Sequence, residues 1–152
     1  MDMAPEPVSI VRVTSDSGLR TAFAIRTAVF VDEQGVDPTL EMDVHDDDPA
    51  VVHVLARVAD DAVGTGRIRR VETTTAKVER VAVLPAYRGR GIGQEIMRAL
   101  ESLVPEGVTE LVLHSQHTVE GFYQTLGYRR DSEVFVEAGI DHVRMRRSLT
   151  DL

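Results

Sequence analysis

Residues 81–94, Val-Ala-Val-Leu-Pro-Ala-Tyr-Arg-Gly-Arg-Gly-Ile-Gly-Gln, decide more about the fold of this chain than any other stretch. A short apolar strand ends at Leu84, a turn follows, and residues 88–93 open an amphipathic helix with three alternating glycines. The first N–H groups of a helix lack intrahelical partners, and the helix dipole adds positive charge there. Glycine lets such donors approach an anion closely, and Arg88 and Arg90 flank them. The stretch therefore predicts a cradle for a pyrophosphate group.

Two common phosphate-binding motifs do not fit this stretch. It lacks the Lys-Ser/Thr ending of the P-loop, which disfavours a nucleoside triphosphatase. Its glycines lie at positions 89, 91 and 93, which is not the G-x-G-x-x-G spacing of dinucleotide-binding folds. A structural Gly-rich turn with solvated arginines is the alternative that these residues leave open.

The composition limits the class of protein. With 152 residues, 43% of them hydrophobic, the chain is long enough for one domain, which we expect at residues 8–152 after a loose tail at residues 1–7. No apolar run approaches the roughly 20 residues of a membrane span, and the N-terminus does not resemble a signal peptide. The chain has no cysteine, which excludes disulfides, thiolate metal sites and cysteine nucleophiles. We therefore expect a soluble cytoplasmic protein.

The charge pattern limits the partners. A formal net charge of −8 argues against nucleic acid or an anionic membrane as the main partner. The basic residues are 16 arginines and a single lysine, Lys77. An acidic, lysine-poor composition suggests a high-salt cytoplasm, although a GC-rich genome would also favour arginine. Against this background Arg88 and Arg90 should attract an anionic ligand to one point.

The hydrophobic pattern predicts an α/β layered fold with one mixed, mostly antiparallel sheet flanked by helices, in the order β-α-β-β-β-α-β-α-β-β. Strands are expected at residues 8–13, 51–58, 63–71, 77–84, 111–114, 128–136 and 142–149. Helices are expected at residues 19–31, 91–104 and 119–126, with Asp16 or Ser17 capping the first. The polar residues 32–49 predict a long loop with room for a short helix.

The glycine-rich stretch resembles the cofactor loop of the GNAT acetyltransferase superfamily. Arg88-x-x-Gly91-x-Gly93 matches the family motif Q/R-x-x-G-x-G/A, and the predicted order of elements is that of the GNAT fold. The resemblance implies acetyl-CoA as co-substrate, with its pyrophosphate on this loop and its pantetheine arm on a splayed strand edge. It also implies that a backbone N–H near Val83 stabilises the oxyanion. The implied cofactor-binding residues are Val81, Ala82, Val83, Arg88, Gly89, Arg90, Gly91, Ile92, Gly93 and Gln94.

A second motif, Phe122-Tyr123-x-x-Leu126-Gly127-Tyr128, resembles the family signature F-Y-x-x-L-G-F/Y. In many members that tyrosine lies near the acetyl-CoA sulfur and serves as general acid, which implies this role for Tyr123. A nearby phenol can assist the departure of a CoA thiolate by protonating it. The alternative is that Phe122 and Tyr123 are two core aromatics on a short helix.

The sequence offers several candidates for the base that deprotonates the amine. Glu79 lies two residues before Val81 on the same face of the strand and could deprotonate an amine directly or through water. The equal alternative is a strand charge paired with a neighbouring arginine. Other candidates are His53, His114, Gln116 and His117. We expect no metal, because the cluster at residues 114–117 contains no carboxylate and the acidic residues 46–48 lack the other ligands of a calcium loop.

Further segments resemble the small ElaA/YjcF-like branch of GNAT proteins, namely residues 26–34, Glu41-x-Asp43-x-x-Asp46, and residues 137–145. The first helix and the loop after it usually form the substrate wall in this fold. Carboxylates on that wall would favour a cationic amine, and an ordered loop capped by its own charges is the alternative. The acceptor-side residues considered are Arg26, Glu33, Gln34, Glu41, Asp43, His114 and Gln116.

The resemblance thus implies an acetyl-CoA-dependent N-acetyltransferase that transfers acetyl directly to a primary amine of a small molecule or peptide. A non-catalytic CoA-binding sensor or regulatory module is one alternative, and an acyltransferase that uses a longer acyl-CoA is another. A homodimer with the last hairpin as contact surface fits the fold. The residues do not name the acceptor.

Overall fold

The computed structural model describes residues 7–149, so residues 1–6 of the expected tail and residues 150–152 lie outside the described part. The strands are β1 (Val8–Arg12), β2 (Val52–Val58), β3 (Asp61–Glu72), β4 (Thr75–Val83), β5 (Glu110–Gln116), β6 (Arg129–Arg130), β7 (Phe135–Glu137) and β8 (Ile140–Ser148). The α-helices are α1 (Asp16–Arg26), α2 (Pro38–Glu41), α3 (Ile92–Ser102) and α4 (Glu120–Thr125). Helix α1 continues as a π-helical segment, Thr27–Glu33, and three 3₁₀ turns lie at Val44–Asp47, Pro85–Tyr87 and His117–Val119.

The strands form one sheet in the spatial order β1-β2-β3-β4-β5-β8-β6, and β7 also pairs with β8. The β4–β5 pair is parallel and the other described pairs are antiparallel. Helices cover both faces of the sheet: Val54 and Ala56 of β2 pack in the larger core with α3, whereas Leu55 packs in a second core with α1. Successive strand residues point to opposite faces, so this alternation separates the two cores. The predicted mixed, mostly antiparallel sheet flanked by helices is confirmed.

Local hydrogen bonds explain where the elements depart from the predicted pattern. Ser15, not Asp16 or Ser17, caps α1, because its hydroxyl accepts from the N–H of Gly18 at 3.0 Å. The strand predicted at residues 128–136 is broken into β6 and β7. Between them the N–H of Asp131 donates a hydrogen bond of 3.0 Å to the carbonyl of Arg144 on β8. The element order therefore contains one broken strand and extra short helices that hydrophobic periodicity does not detect.

Strands β4 and β5 separate in mid-course. Their pairing joins Thr75–Val78 to Glu110–Leu113 and stops there, while β4 continues to pair with β3. A register shift opposite Arg80, which has a φ of +58°, bends β4 at the same point. The edge of residues 81–83 that faces β5 therefore has no strand partner within the described chain. The expected splay is present, and it opens a cleft through the sheet.

Candidate active site

A cavity of about 1060 Å³ occupies the cleft between β4 and β5. Its wall includes residues 79–83 of β4, most of the glycine-rich loop, Phe122 and Tyr123 of the second motif, and His114 and Gln116 of β5. Three of the predicted residues do not line it: Arg90, Arg26 and Glu33. Arg90 instead lies over the ring of Tyr87, 5.1 Å from its centroid.

The glycine-rich loop presents backbone donors to this cavity. The six N–H groups of residues 89–94 have no hydrogen-bond partner within residues 7–149. Gly89 and Gly91 both have a φ of +79°, a conformation that side chains other than glycine rarely adopt. Donors at a helix N-terminus bind phosphate oxygens through both hydrogen bonds and the helix dipole. The loop thus fits the diphosphate of a nucleotide cofactor.

Arg88 ties the loop to its surroundings. Its guanidinium donates to both carboxylate oxygens of Glu33 at 2.7 Å each, and its Nε donates to the carbonyl of Val83 at 3.0 Å. The bidentate hydrogen bond from Arg88 lowers the pKa of Glu33. Glu33 is therefore paired with the glycine-rich loop and does not line the cavity.

Tyr123 and Tyr128 lie close together, and their hydroxyl groups differ. The two rings meet edge to face with centroids 6.0 Å apart. The hydroxyl of Tyr128 donates to Glu101 at 2.8 Å, whereas that of Tyr123 has no partner in the described chain. Burial raises the pKa of Tyr123 to about 12, so its phenol keeps its proton at physiological pH. Tyr123 lines the cavity as an unpaired proton donor.

A buried ion-pair network lies beneath the part of the cavity that Glu41, Asp43 and Glu79 line. Arg67, with no exposed surface, donates to Asp43, Asp46 and Glu79 at 2.8–3.2 Å. Arg26, 1% exposed, donates to Glu41 and Asp46 at 2.7 Å. The two arginines lower the pKa of Asp46 far below its ordinary range, against the opposing effect of its burial. Arg26 thus holds the loop after α1 in place instead of contacting the cavity.

Glu79 belongs to the same network. Its Oε1 accepts from Arg67 (3.0 Å) and Arg69 (2.7 Å), and its Oε2 lies 3.3 Å from Nζ of Lys77. Burial alone would raise the pKa of Glu79, but the Arg69 hydrogen bond and the neighbouring positive charges lower it to about 2. A carboxylate with so low a pKa is a weak base. Its role as proton acceptor therefore stays a prediction that these contacts disfavour.

The far end of β5 brings together side chains that are distant in sequence. Nδ1 of His114 lies 3.0 Å from Oε1 of Glu137 on β7, and both residues line the cavity. Gln116 donates to the side-chain oxygen of Gln34 at 2.7 Å, which connects β5 to the loop after α1. Sequence reasoning missed Glu137 as a site residue. Its place in the segment of residues 137–145 that resembles the ElaA/YjcF-like branch was the available signal.

The remaining histidine candidates do not line the cavity. Burial lowers the pKa of His53 to about 4, and its Nε2 is buried without a partner. His117 lies 3.6 Å from Glu120 in the next turn. Residues 7–149 contain no group of three or more His, Cys, Asp or Glu side chains that could hold a metal ion. No helix in the same range is long and apolar enough to cross a membrane.

A match over most of the chain identifies its protein family. Residues 11–149 match the family model described as the acetyltransferase (GNAT) domain. The chain therefore belongs to the GNAT acetyltransferase family, an acyltransferase class, as its two motifs predicted. It is 35% identical to the uncharacterized N-acetyltransferase YjcF of Bacillus subtilis over 135 residues, which cover 88% of this chain and 94% of YjcF.

Solved structures confirm the fold. The Escherichia coli protein ElaA superposes with a TM-score of 0.82 at 29% identity, over 93% of this chain and 99% of ElaA. An N-acetyltransferase from Lactobacillus plantarum superposes with a TM-score of 0.84 at 29% identity, over 93% and 98% of the two chains. The resemblance to the ElaA/YjcF-like branch is therefore confirmed by both sequence and structure.

Proposed function

We propose that this chain is an acetyl-CoA-dependent N-acetyltransferase that acetylates a primary amine of a small molecule or peptide. The observation that supports this most directly is the run of six unpartnered N–H groups at residues 89–94. They lie on the same cavity as an unpaired strand edge and the unpartnered hydroxyl of Tyr123. A structural turn would have no need of this combination.

The protein would hold the cofactor mainly through backbone groups. Residues 89–94 would bind the diphosphate, and the free edge of residues 81–83 would pair with the amide groups of the pantetheine arm. The N–H of Leu84 bonds to Val63 of β3, so the backbone of Val83 faces the opposite side, toward the cleft. Its N–H could stabilise the negative charge that develops on the thioester oxygen. Bound acetyl-CoA would supply the activated acetyl group.

Tyr123 would act as the general acid. Its raised pKa keeps the phenol protonated, and its hydroxyl donates to no other group in residues 7–149. Protonation of the departing thiolate by this hydroxyl would make the thioester easier to cleave. The aromatic contact between Tyr123 and Phe122, with centroids 5.0 Å apart, would fix the ring toward the cavity.

The acceptor half is polar, but its carboxylates are already paired. Glu41, Asp43 and Glu79 each lie within ion-pair distance of at least one arginine. They are therefore less available to attract a cationic amine than their sequence positions suggest. The proposal that an amine accepts the acetyl group therefore rests on the family and not on these carboxylates.

Binding and turnover test the proposal in two stages. Calorimetric titration with acetyl-CoA and with CoA should show micromolar binding that Gly91→Glu abolishes. A panel of alkylamines, arylalkylamines and amino-terminal peptides, assayed by release of free thiol, should then reveal an acceptor. Tyr123→Phe should lower kcat by roughly 10²–10⁴ and leave the Kd for CoA unchanged.

The other outcomes separate the alternatives. CoA binding without turnover of any amine would favour a regulatory CoA-binding module. Turnover with only longer acyl-CoA substrates would support an acyltransferase whose acyl donor is not acetyl-CoA. Absence of CoA binding at both low and high salt would mean that the glycine-rich loop is structural.

A further inference from the structure

A carboxylate and a histidine meet on the acceptor side of the cavity. His114 lies on β5 just beyond its last paired position with β4, and its Nδ1 is 3.0 Å from Oε1 of Glu137. Phe135 packs edge-on against the imidazole, with centroids 5.1 Å apart. Both His114 and Glu137 line the cavity that also contains residues 81–83 and Tyr123. The ring is therefore fixed by one hydrogen bond and one aromatic contact.

The hydrogen bond to Glu137 determines which ring nitrogen of His114 is free. A carboxylate can only accept, so the 3.0 Å contact with Glu137 favours a hydrogen on Nδ1 of the neutral ring, whereas the Lys77 ammonium, a donor, is farther from Nδ1, at 3.4 Å. Nε2 then has the lone pair, and it has no partner among residues 7–149. The bond also lowers the pKa of Glu137, so this carboxylate stays ionised at neutral pH. A carboxylate that orients a histidine in this way leaves a neutral nitrogen ready to accept a proton.

The other charged groups around His114 are already engaged. On β4, Nζ of Lys77 lies 3.4 Å from Nδ1 of His114 and 3.3 Å from Glu79. On β8, Nε2 of His142 lies 3.8 Å from Oε2 of Glu137. Arg144, opposite His114 in the β5–β8 register, donates to Asp131 at 2.8 Å.

We propose that His114 accepts the proton of the acceptor amine at Nε2 and that Glu137 is the residue that positions it. This inference rests on the proposed N-acetyltransferase function and deepens it. Glu79 faces three cations, two of them on one of its oxygens, whereas Nε2 of His114 is unpartnered in the described structure. The histidine is therefore the better base on the same cavity wall.

The proton balance of the step is simple. The nitrogen of a neutral amine forms a bond to the thioester carbonyl carbon, and the bond from that carbon to sulfur breaks. Nε2 of His114 takes one proton from the nitrogen, and Tyr123 gives one proton to the thiolate. His114 then releases its proton to solvent, and Tyr123 regains one. No oxidant, reductant or further reactant is required.

Kinetics of four variants test the assignment, with acetyl-CoA and the amine found in the acceptor panel as substrates. His114→Gln should lower kcat by roughly 10²–10⁴, and Glu137→Ala by about tenfold or more, while the KM for acetyl-CoA stays unchanged. Glu137→Asp should recover part of the loss. The matched control is Glu133→Ala, because Glu133 is an exposed carboxylate four residues earlier that makes no ion pair in the described chain.

A second readout does not depend on activity. In ¹⁵N spectra of the protein without ligand, neutral His114 should be protonated at Nδ1. Glu137→Ala should move the hydrogen toward Nε2, whereas Glu133→Ala should leave it in place. An unchanged tautomer in Glu137→Ala would show that Glu137 does not orient the ring, and the kinetics of the same variant show whether the orientation matters for turnover.

The outcomes distinguish this inference from the proposed function. If wild-type protein acetylates an amine and Glu137→Ala matches Glu133→Ala in kcat, the dyad is wrong and the enzyme assignment stands. An Nε2–H tautomer in wild-type protein would also overturn it. If wild-type protein binds CoA but acetylates no amine, the proposed function fails first and the proton acceptor falls with it.

Discussion

The two halves of the cleft are built in opposite ways. The half proposed for the cofactor uses the consecutive residues 89–94, whose backbone N–H donors lie at the start of α3. The half proposed for the acceptor uses side chains from β3, β4, β5, β7 and the loop after α1. In the first half, glycine conformation creates the site, whereas in the second, buried ion pairs hold distant segments together. A substitution in the glycine-rich loop should therefore weaken ligand binding, whereas a substitution in the buried ion-pair network should lower the stability of the fold.

The largest expected effect comes from the buried network. Arg67→Leu leaves Asp43, Asp46 and Glu79 without their shared cation, which should cost about 3–5 kcal/mol of unfolding free energy in urea denaturation. Arg57→Leu is the control, because Arg57 lies on the neighbouring strand and makes one long hydrogen bond of 3.4 Å to the Asp60 carbonyl. Its loss should stay within about 0.5 kcal/mol. Equal stability of the two variants would show that the network does not hold the acceptor wall.

A smaller effect is expected from pH. Because the folded pKa of Glu79 is lowered to about 2, its ionised form stabilises the fold above its ordinary pKa near 4.5, and this contribution is lost as pH falls toward 2. Glu79→Gln should thus be less stable than wild type by on the order of 2 kcal/mol at pH 7. The gap should narrow between pH 5 and pH 3. A gap that does not change with pH would contradict the ionised state of Glu79.

On the cofactor side, the expected effect is on binding more than on folding. Gly91 and Gly107 have φ values of +79° and +86°, and an added Cβ meets nothing within 4 Å at either position. Alanine should therefore cost each variant a similar roughly 1 kcal/mol of stability. Only Gly91→Ala should weaken CoA binding in calorimetry, by about tenfold, because its Cβ would lie among the donors of the loop. Equal CoA affinity in both variants would mean that the loop does not hold the diphosphate.

The smallest effect concerns the ion pair between Glu33 and Arg88 of the glycine-rich loop. Glu33 occupies the guanidinium of Arg88, so Glu33→Gln should free Arg88 for an anion and tighten CoA binding by about threefold, as expected for an exposed ion pair. Asp32→Asn removes the same charge one residue earlier and should change the Kd less. If both substitutions tighten binding equally, the cause is overall charge and not the release of Arg88.

The sequence predictions were more accurate for the glycine-rich loop than for the opposite wall, because the loop is built from consecutive residues and the wall from distant ones. The splayed strand and the glycine-rich helix start were predictable because they depend on residues within one short stretch. Arg26 and Glu33 were expected on the acceptor wall, but the first is buried under it and the second pairs with Arg88. Arg88 pairs with Glu33, which lies 55 positions earlier, and nothing in the sequence between them indicates this pairing. Even His114 and Glu137 are 23 residues apart.

The family, the order of the main elements and the position of the glycine-rich loop were predictable from residue patterns alone. These depend on hydrophobic periodicity and on backbone conformations that few residue types allow. Which charges neutralise one another, and so which carboxylates remain available for chemistry, depends on the packed structure. Charge pairing depends on distances of about 3 Å between side chains from separate elements, and those distances exist only after the sheet and its loops have packed.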